Sequence, residues 1–150
     1  MLGGPDKTAR QLAETAGPNV KLLGRVSDAQ MRELMAKCKA LIFPGEEDFG
    51  MVPVEVMASG RPVIAYGRGG AEDSVISYRT GLLFKEQTVD GLVEAVETFE
   101  REKLDQLDPN ALVSHSRRFN EAAFKSGMLH MLPSDYSAAA FSTRLRVPAE

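Results

Sequence analysis

Two carboxylates, Glu47 and Glu55, stand eight residues apart in the stretch GEEDFGMVPVEVMASG, residues 45–60. One precedes an expected helix start and the other lies just inside it. Pro53 suits the first turn, at its N1 position, so the backbone amides near Gly50, Met51 and Val52 are orphan donors at the positive end of the helix dipole. Gly50 lets backbone approach a ligand closely. Together these groups make either a seat for a diphosphate or an ordinary helix start solvated by water, which helix geometry alone does not separate. A carboxylate beside a phosphate is repelled by it, by roughly 1 kcal/mol at ~4 Å in water, so Glu47 and Glu55 are not phosphate ligands. They can accept hydrogen bonds from hydroxyls. A diphosphate carried between two polyhydroxylated rings, as in a nucleotide-sugar, would use both, one for the sugar and one for the ribose. Glu55 alone could be explained by favourable placement in a first helical turn. Glu47, in a loop, has no such explanation.

Positioning these groups requires strands and helices. Four short apolar runs recur, at residues 20–23, 40–43, 62–65 and 81–84. Each is too short for a helix, and the middle ones lack polar alternation, as expected of strands buried on both faces. Between them, Ser27 and Gln30 form a capping box, followed by Met31, Leu34, Met35 and Cys38 as an apolar stripe facing a sheet. Gly60 and Pro62 end the helix that starts at Pro53. A brief helix is expected over 71–77. Thr88 caps a further one with Leu92, Val96 and Phe99 on one face, while Asp108-Pro109 and Asn120 open two more. The second of these carries Phe124, Met128 and Met131. The alternation predicts an α/β fold with a Rossmann-like, doubly wound parallel sheet. Ligands of such sheets bind beyond the carboxyl ends of the strands, where the loop holding Glu47 falls.

The remaining glycines are less specific. GRGGAED, residues 67–73, lacks the G-x-G-x-x-G spacing. Gly69-Gly70 either brings amides to the same crevice or is a plain connecting turn, and Arg68 either faces a phosphate or is a solvated loop arginine.

Composition narrows the function classes. The chain has 150 residues, 43% hydrophobic, with a net charge of −3, ordinary for one globular domain and without the basic footprint of a nucleic-acid binder. No apolar run is long enough to span a membrane. The single cysteine, Cys38, excludes an internal disulfide, fits a reducing, cytoplasmic setting, and reads as a core residue. His115 and His130 have no companions at metal-ligand spacing, so no metal is assigned. Residues 1–132 are read as the domain and 133–150 as a loosely held tail.

The segment FPGEEDFGMVPVEVMASGRPVIAYGRGGAED, residues 43–73, preceded by VKLLGRVSD at 20–28, resembles the C-terminal, donor-binding domain of retaining family 4 glycosyltransferases of the GT-B fold. The likeness is strongest to bacterial mannosyltransferases of surface-polysaccharide and lipopolysaccharide assembly. It runs from about residue 3 to 124, and its E-x7-E element with Phe-Gly inside is its most specific part. The one local departure is Val56-Met57-Ala58, where the family usually has Ala-Met-Ala.

The resemblance implies roles. Glu47 would meet hydroxyls of the transferred sugar, as the catalytic residue, and Glu55 the ribose. Phe49, Gly50, Met51 and Val52 would line the sugar and diphosphate through backbone groups, and Gly24, Arg25, Val26 and Asp28 would lie near the base. The implied activity is retaining transfer of a hexose, from GDP-mannose as the expected donor, to a glycan or lipid-linked acceptor. No metal and no cofactor are needed, and the leaving diphosphate takes the acceptor's proton.

The family also carries an N-terminal acceptor-binding domain, and a first strand with an Arg and a Lys that neutralise the diphosphate. Neither is found in these residues, so the domain is expected to be truncated at its N-terminus and weak or inactive alone. Its sheet, ordered 3-2-1-4-5-6 in the family, would then have 20–23 as strand three and 40–43 as strand four. Either those two pair directly, or an edge stays open to self-association. The complete enzyme would sit in the cytoplasm, peripheral at the inner face of the membrane. The competing reading is a non-catalytic module that holds a nucleotide-sugar or a partner chain.

Overall fold

The computed structural model describes residues 7–131, with side chains from residue 11. The chain divides into two units, Met1–Glu33 and Leu34–Glu150. In the first, α1 (Lys7–Thr15) is followed by irregular chain and the start of α2 (Asp28–Lys37). The expected capping box forms as read. The Ser27 amide donates to Gln30 Oε1 at 3.0 Å, and the Gln30 amide donates to Ser27 Oγ at 3.3 Å.

Residues 20–23 form no strand, contrary to expectation. Val20, Leu22 and Leu23 are about half exposed, and the Val20 amide donates back to Gly17 in a turn. A strand persists through its ladder of hydrogen bonds to a neighbour; among the described residues no such ladder is made here. The apolar stripe of α2 is also only partly used, with Met31 and Leu34 exposed and Met35 and Cys38 packed on the core.

The second unit holds a three-stranded parallel sheet, β1 (Leu41–Phe43), β2 (Val63–Tyr66) and β3 (Gly81–Phe84), in spatial order β1-β2-β3. Leu41 registers with Val63, and Val63 with Gly81. Side chains alternate across the sheet, and each face has its own helices. Val63 and Ala65 pack with Val56 and Met57 of α3 (Met51–Ala58), Ala71 of α4 (Gly70–Ser74) and Leu112 of α6 (Pro109–Ser116). Ile64, Leu82 and Phe84 face the other way, against Ala95 and Phe99 of α5 (Val89–Arg101). Helices on both faces explain why these strands read as unbroken apolar runs, and make the sheet doubly wound. β1 pairs only with β2, and Ile42 is 49% exposed. Among the described residues its outer edge is therefore open, the second of the two outcomes expected.

Local signals place the helix ends. Thr88 Oγ1 accepts from the Gly91 amide, Asp108 Oδ1 from Asn110, and Asn120 Oδ1 from Ala123 at the start of α7 (Glu121–Met131). α3 closes with Gly60 at positive φ, its amide on the Met57 carbonyl and that of Arg61 on Val56, a Schellman motif. Two boundaries differ from expectation. The brief helix is Gly70–Ser74, because Val75 turns extended and Ser77 bridges to Gly81. Pro53 is the third residue of α3, not the first. That position is tolerated because the amide proline lacks there would have no helical partner anyway. The expected tail, 133–150, lies outside the described residues.

Candidate functional site

All three strands run parallel, so the loops after β1, β2 and β3 gather at one end of the sheet. Residues 44–50 leave β1 and enter α3 through Gly50, whose left-handed backbone (φ 71°, ψ 61°) turns the chain into the helix. The loop is tied to its neighbours at two points. The Gly70 amide donates to the Glu47 carbonyl at 2.8 Å. Gln87, in the loop after β3, donates from Nε2 to the Pro44 carbonyl at 2.9 Å.

Gly69 and Gly70 are required for the first tie. Gly69 sits at φ 60°, ψ −147°, a region open to glycine alone. A Cβ on Gly70 would run into the backbone of Phe49. The two readings left open for this pair resolve toward close packing: these residues receive the Glu47 loop against the loop after β2.

No side chain caps α3. Met51 and Val52 are its first two residues, so their amides have no acceptor behind them in the helix. With Pro53 third, the open donors among the described residues are these two and the Gly50 amide. Phe49 (53% exposed) and Met51 (61% exposed) stand beside them at the surface. Glu47 and Glu55 are both exposed, and among the described residues neither is in an ion pair. Glu55 follows Met51 by four residues and so shares its face of α3. The arrangement can offer amide donors to an anion and carboxylate acceptors to hydroxyls.

The other expected site residues lie in the first unit. Gly24 has positive φ, Arg25 is exposed, Val26 is half-buried, and Asp28 is the first residue of α2. Two contributors escaped the sequence reading. Gln87 bears no motif, and Phe119, in the short turn Arg117–Phe119 after α6, meets the Phe49 ring edge-on with centroids 6.2 Å apart. Only the folded chain joins them to the loop.

The fold defines a parallel α/β domain of the Rossmann-like, GT-B kind, with its loop cluster at the carboxyl ends of the strands. The chain belongs to the family described as "Glycosyl transferases group 1", whose model matches residues 2–125. It is 30% identical over 129 residues to the GDP-mannose-dependent alpha-mannosyltransferase of Mycolicibacterium smegmatis, covering 85% of this chain and 31% of that protein. It is 38% identical over 87 residues to human alpha-1,3/1,6-mannosyltransferase ALG2, covering 57% of this chain and 21% of that protein. Among solved structures, Anabaena Alr3699/HepE in complex with UDP-glucose superposes with a TM-score of 0.65 at 27% identity, covering 82% of this chain and 35% of that one. The chain thus spans a fifth to about a third of these proteins. No helix among the described residues is long and apolar enough to cross a membrane.

Proposed function

We propose that the chain binds the nucleotide-sugar donor of a retaining hexosyltransferase, with GDP-mannose as donor and a glycan or lipid-linked acceptor. The observation that carries this reading is the loop entering α3. Among the described residues, two exposed carboxylates without ion pairs flank an uncapped helix start whose first two amides are open. The amides of Met51 and Val52 take the diphosphate, supported by the helix dipole. Glu47 holds hydroxyls of the sugar and Glu55 those of the ribose. As the anomeric bond breaks, charge grows on the diphosphate, and fixed amides stabilise that charge without reorganising. The departing diphosphate takes the acceptor's proton, so no metal or cofactor is assigned. Mannose is favoured by the names of the M. smegmatis and human relatives, while the Anabaena structure keeps a UDP-sugar in contention.

Calorimetric titration of GDP, UDP, GDP-mannose and UDP-glucose tests the reading, on residues 1–150 and on the chain joined to the remaining part of a family enzyme. The expected result is weak binding to the chain alone, tighter binding to the joined protein, and preference for GDP-mannose. Absence of binding by all four to the joined protein would overturn it.

A further inference from the structure

The loop that opens α3 is held on two sides. On one, the Glu47 carbonyl receives the Gly70 amide. On the other, the Phe49 ring stands edge-on to Phe119, with an interplanar angle of 79°. Phe119 in turn meets the His115 ring at 5.7 Å and 65°. His115 Nε2 lies 2.8 Å from the Ser74 carbonyl oxygen. A carbonyl only accepts, so Nε2 carries the proton. Ser74 ends α4, the helix that Gly70 begins. The contacts therefore close a ring: Glu47 to Gly70, along α4 to Ser74, across to His115 and Phe119, then to Phe49 and back to Glu47.

The element delivering Phe119 is itself fixed. α6 buries Leu112 against Val56 and Met57 of α3, the helix that carries Glu55. Its first residue, Pro109, abuts Gly60 at the other end of α3. Edge-to-face ring pairs are directional, so they set orientation as well as proximity. A glycine-containing loop with an exposed phenylalanine would otherwise have to be ordered by the ligand, at a cost in affinity.

We propose that Phe119, oriented by His115, is a positioning residue for residues 45–50. It holds Phe49 and Gly50, and with them Glu47 and the amides of Met51 and Val52, in the arrangement that receives the donor. The inference rests on the donor-binding reading, and adds a residue from the far end of the domain to that site.

Amide hydrogen exchange on the 150-residue chain tests it without any ligand. Phe119→Leu should speed exchange of the Gly70 amide, which is held by the Glu47 carbonyl of this loop, at least tenfold and leave β2 and β3 unchanged, while Phe119→Tyr should behave as the parent. His115→Gln, which can keep a donor toward Ser74, should change exchange less than His115→Ala. Unchanged exchange of the Gly70 amide in Phe119→Leu would overturn the proposal. Should Phe119→Leu not fold, Phe49→Leu supplies the readout from the other ring, and unchanged exchange of the Gly70 amide would overturn it equally. In the joined protein, Phe119→Leu should weaken GDP-mannose binding about tenfold, and Phe119→Tyr should restore it. Equal binding by Phe119→Leu and parent would also overturn it. If no form of the joined protein, parent included, binds a nucleotide-sugar, the donor-binding reading fails, and the exchange data still report whether Phe119 orders the loop.

Discussion

The carbonyl oxygen of Glu47 accepts a 2.8 Å hydrogen bond from the amide of Gly70, joining the loop after the first strand to the helix after the second. The side chain of Glu47 is left facing solvent while its backbone is held. That division suits a group meant to contact a ligand from a fixed position. It also makes Gly70 sensitive, because a Cβ there would enter the Phe49 backbone. Gly70→Ala should destabilise the chain by about 1–3 kcal/mol. A melting temperature equal to the parent's would contradict this.

Glu47 and Glu55 should fail differently in a joined, active protein. In the proposed reading Glu47 meets the sugar, whose charge changes as the bond breaks, so Glu47→Ala should lower kcat, by roughly a hundredfold. In the same reading Glu55 meets the ribose, which would be held alike before and during reaction. Glu55→Ala should raise KM for the donor roughly tenfold and leave kcat near its original value. Steady-state kinetics separate the two, and identical effects on kcat would remove the assignment.

The Ser74 hydroxyl is buried and has no hydrogen-bond partner among the described residues. A buried unsatisfied polar atom costs about 1–3 kcal/mol. Ser74→Ala removes that cost and leaves the carbonyl that receives His115 in place. Thermal denaturation should show stability raised by about 1 kcal/mol; a clear loss would mean the hydroxyl has a stabilising role.

Alkaline pH should weaken the second unit. Burial pushes the Cys38 thiol above its ordinary value of 9.0, with Arg61 acting in the opposite direction. The bonded Glu100 carboxylate holds the Lys39 ammonium above its ordinary value of 10.5. Both groups are raised by folding, so their contributions are fully present below those ordinary values and fade as pH climbs through the folded ones. Denaturant midpoints should be flat from neutral pH to about pH 8.5 and fall above it, with Cys38→Ala blunting the first part of the fall. Cys38 should also react more slowly with iodoacetamide in the native chain than in urea.

Much of this protein could be read locally. Ser27 with Gln30, Thr88, Asp108 and Asn120 each signal a helix start because a cap needs only its own next few residues. The unalternating runs at 63–66 and 81–84 announced strands covered on both faces, since burial on two sides permits no polar alternation. Glu47, Gly50 and Glu55 stood out for the same reason: a helix entry and its flanking acids span barely two turns. The run at 20–23 has similar composition yet forms no strand, because a strand depends on the ladder of a neighbour and composition does not supply one. Pro53 could be placed in the first turn but not at its true third position, because Gly50's left-handed turn decides where the helix begins. Phe119 and Gln87 carry no motif at all. Their bearing on the loop arises only when α6 packs across α3 and β3 lies beside β2, contacts between segments far apart in the chain. Local hydrogen-bonding chemistry is written in neighbouring residues, whereas the ring contact between Phe49 and Phe119 exists only once α6 has packed beside α3 on one face of the sheet.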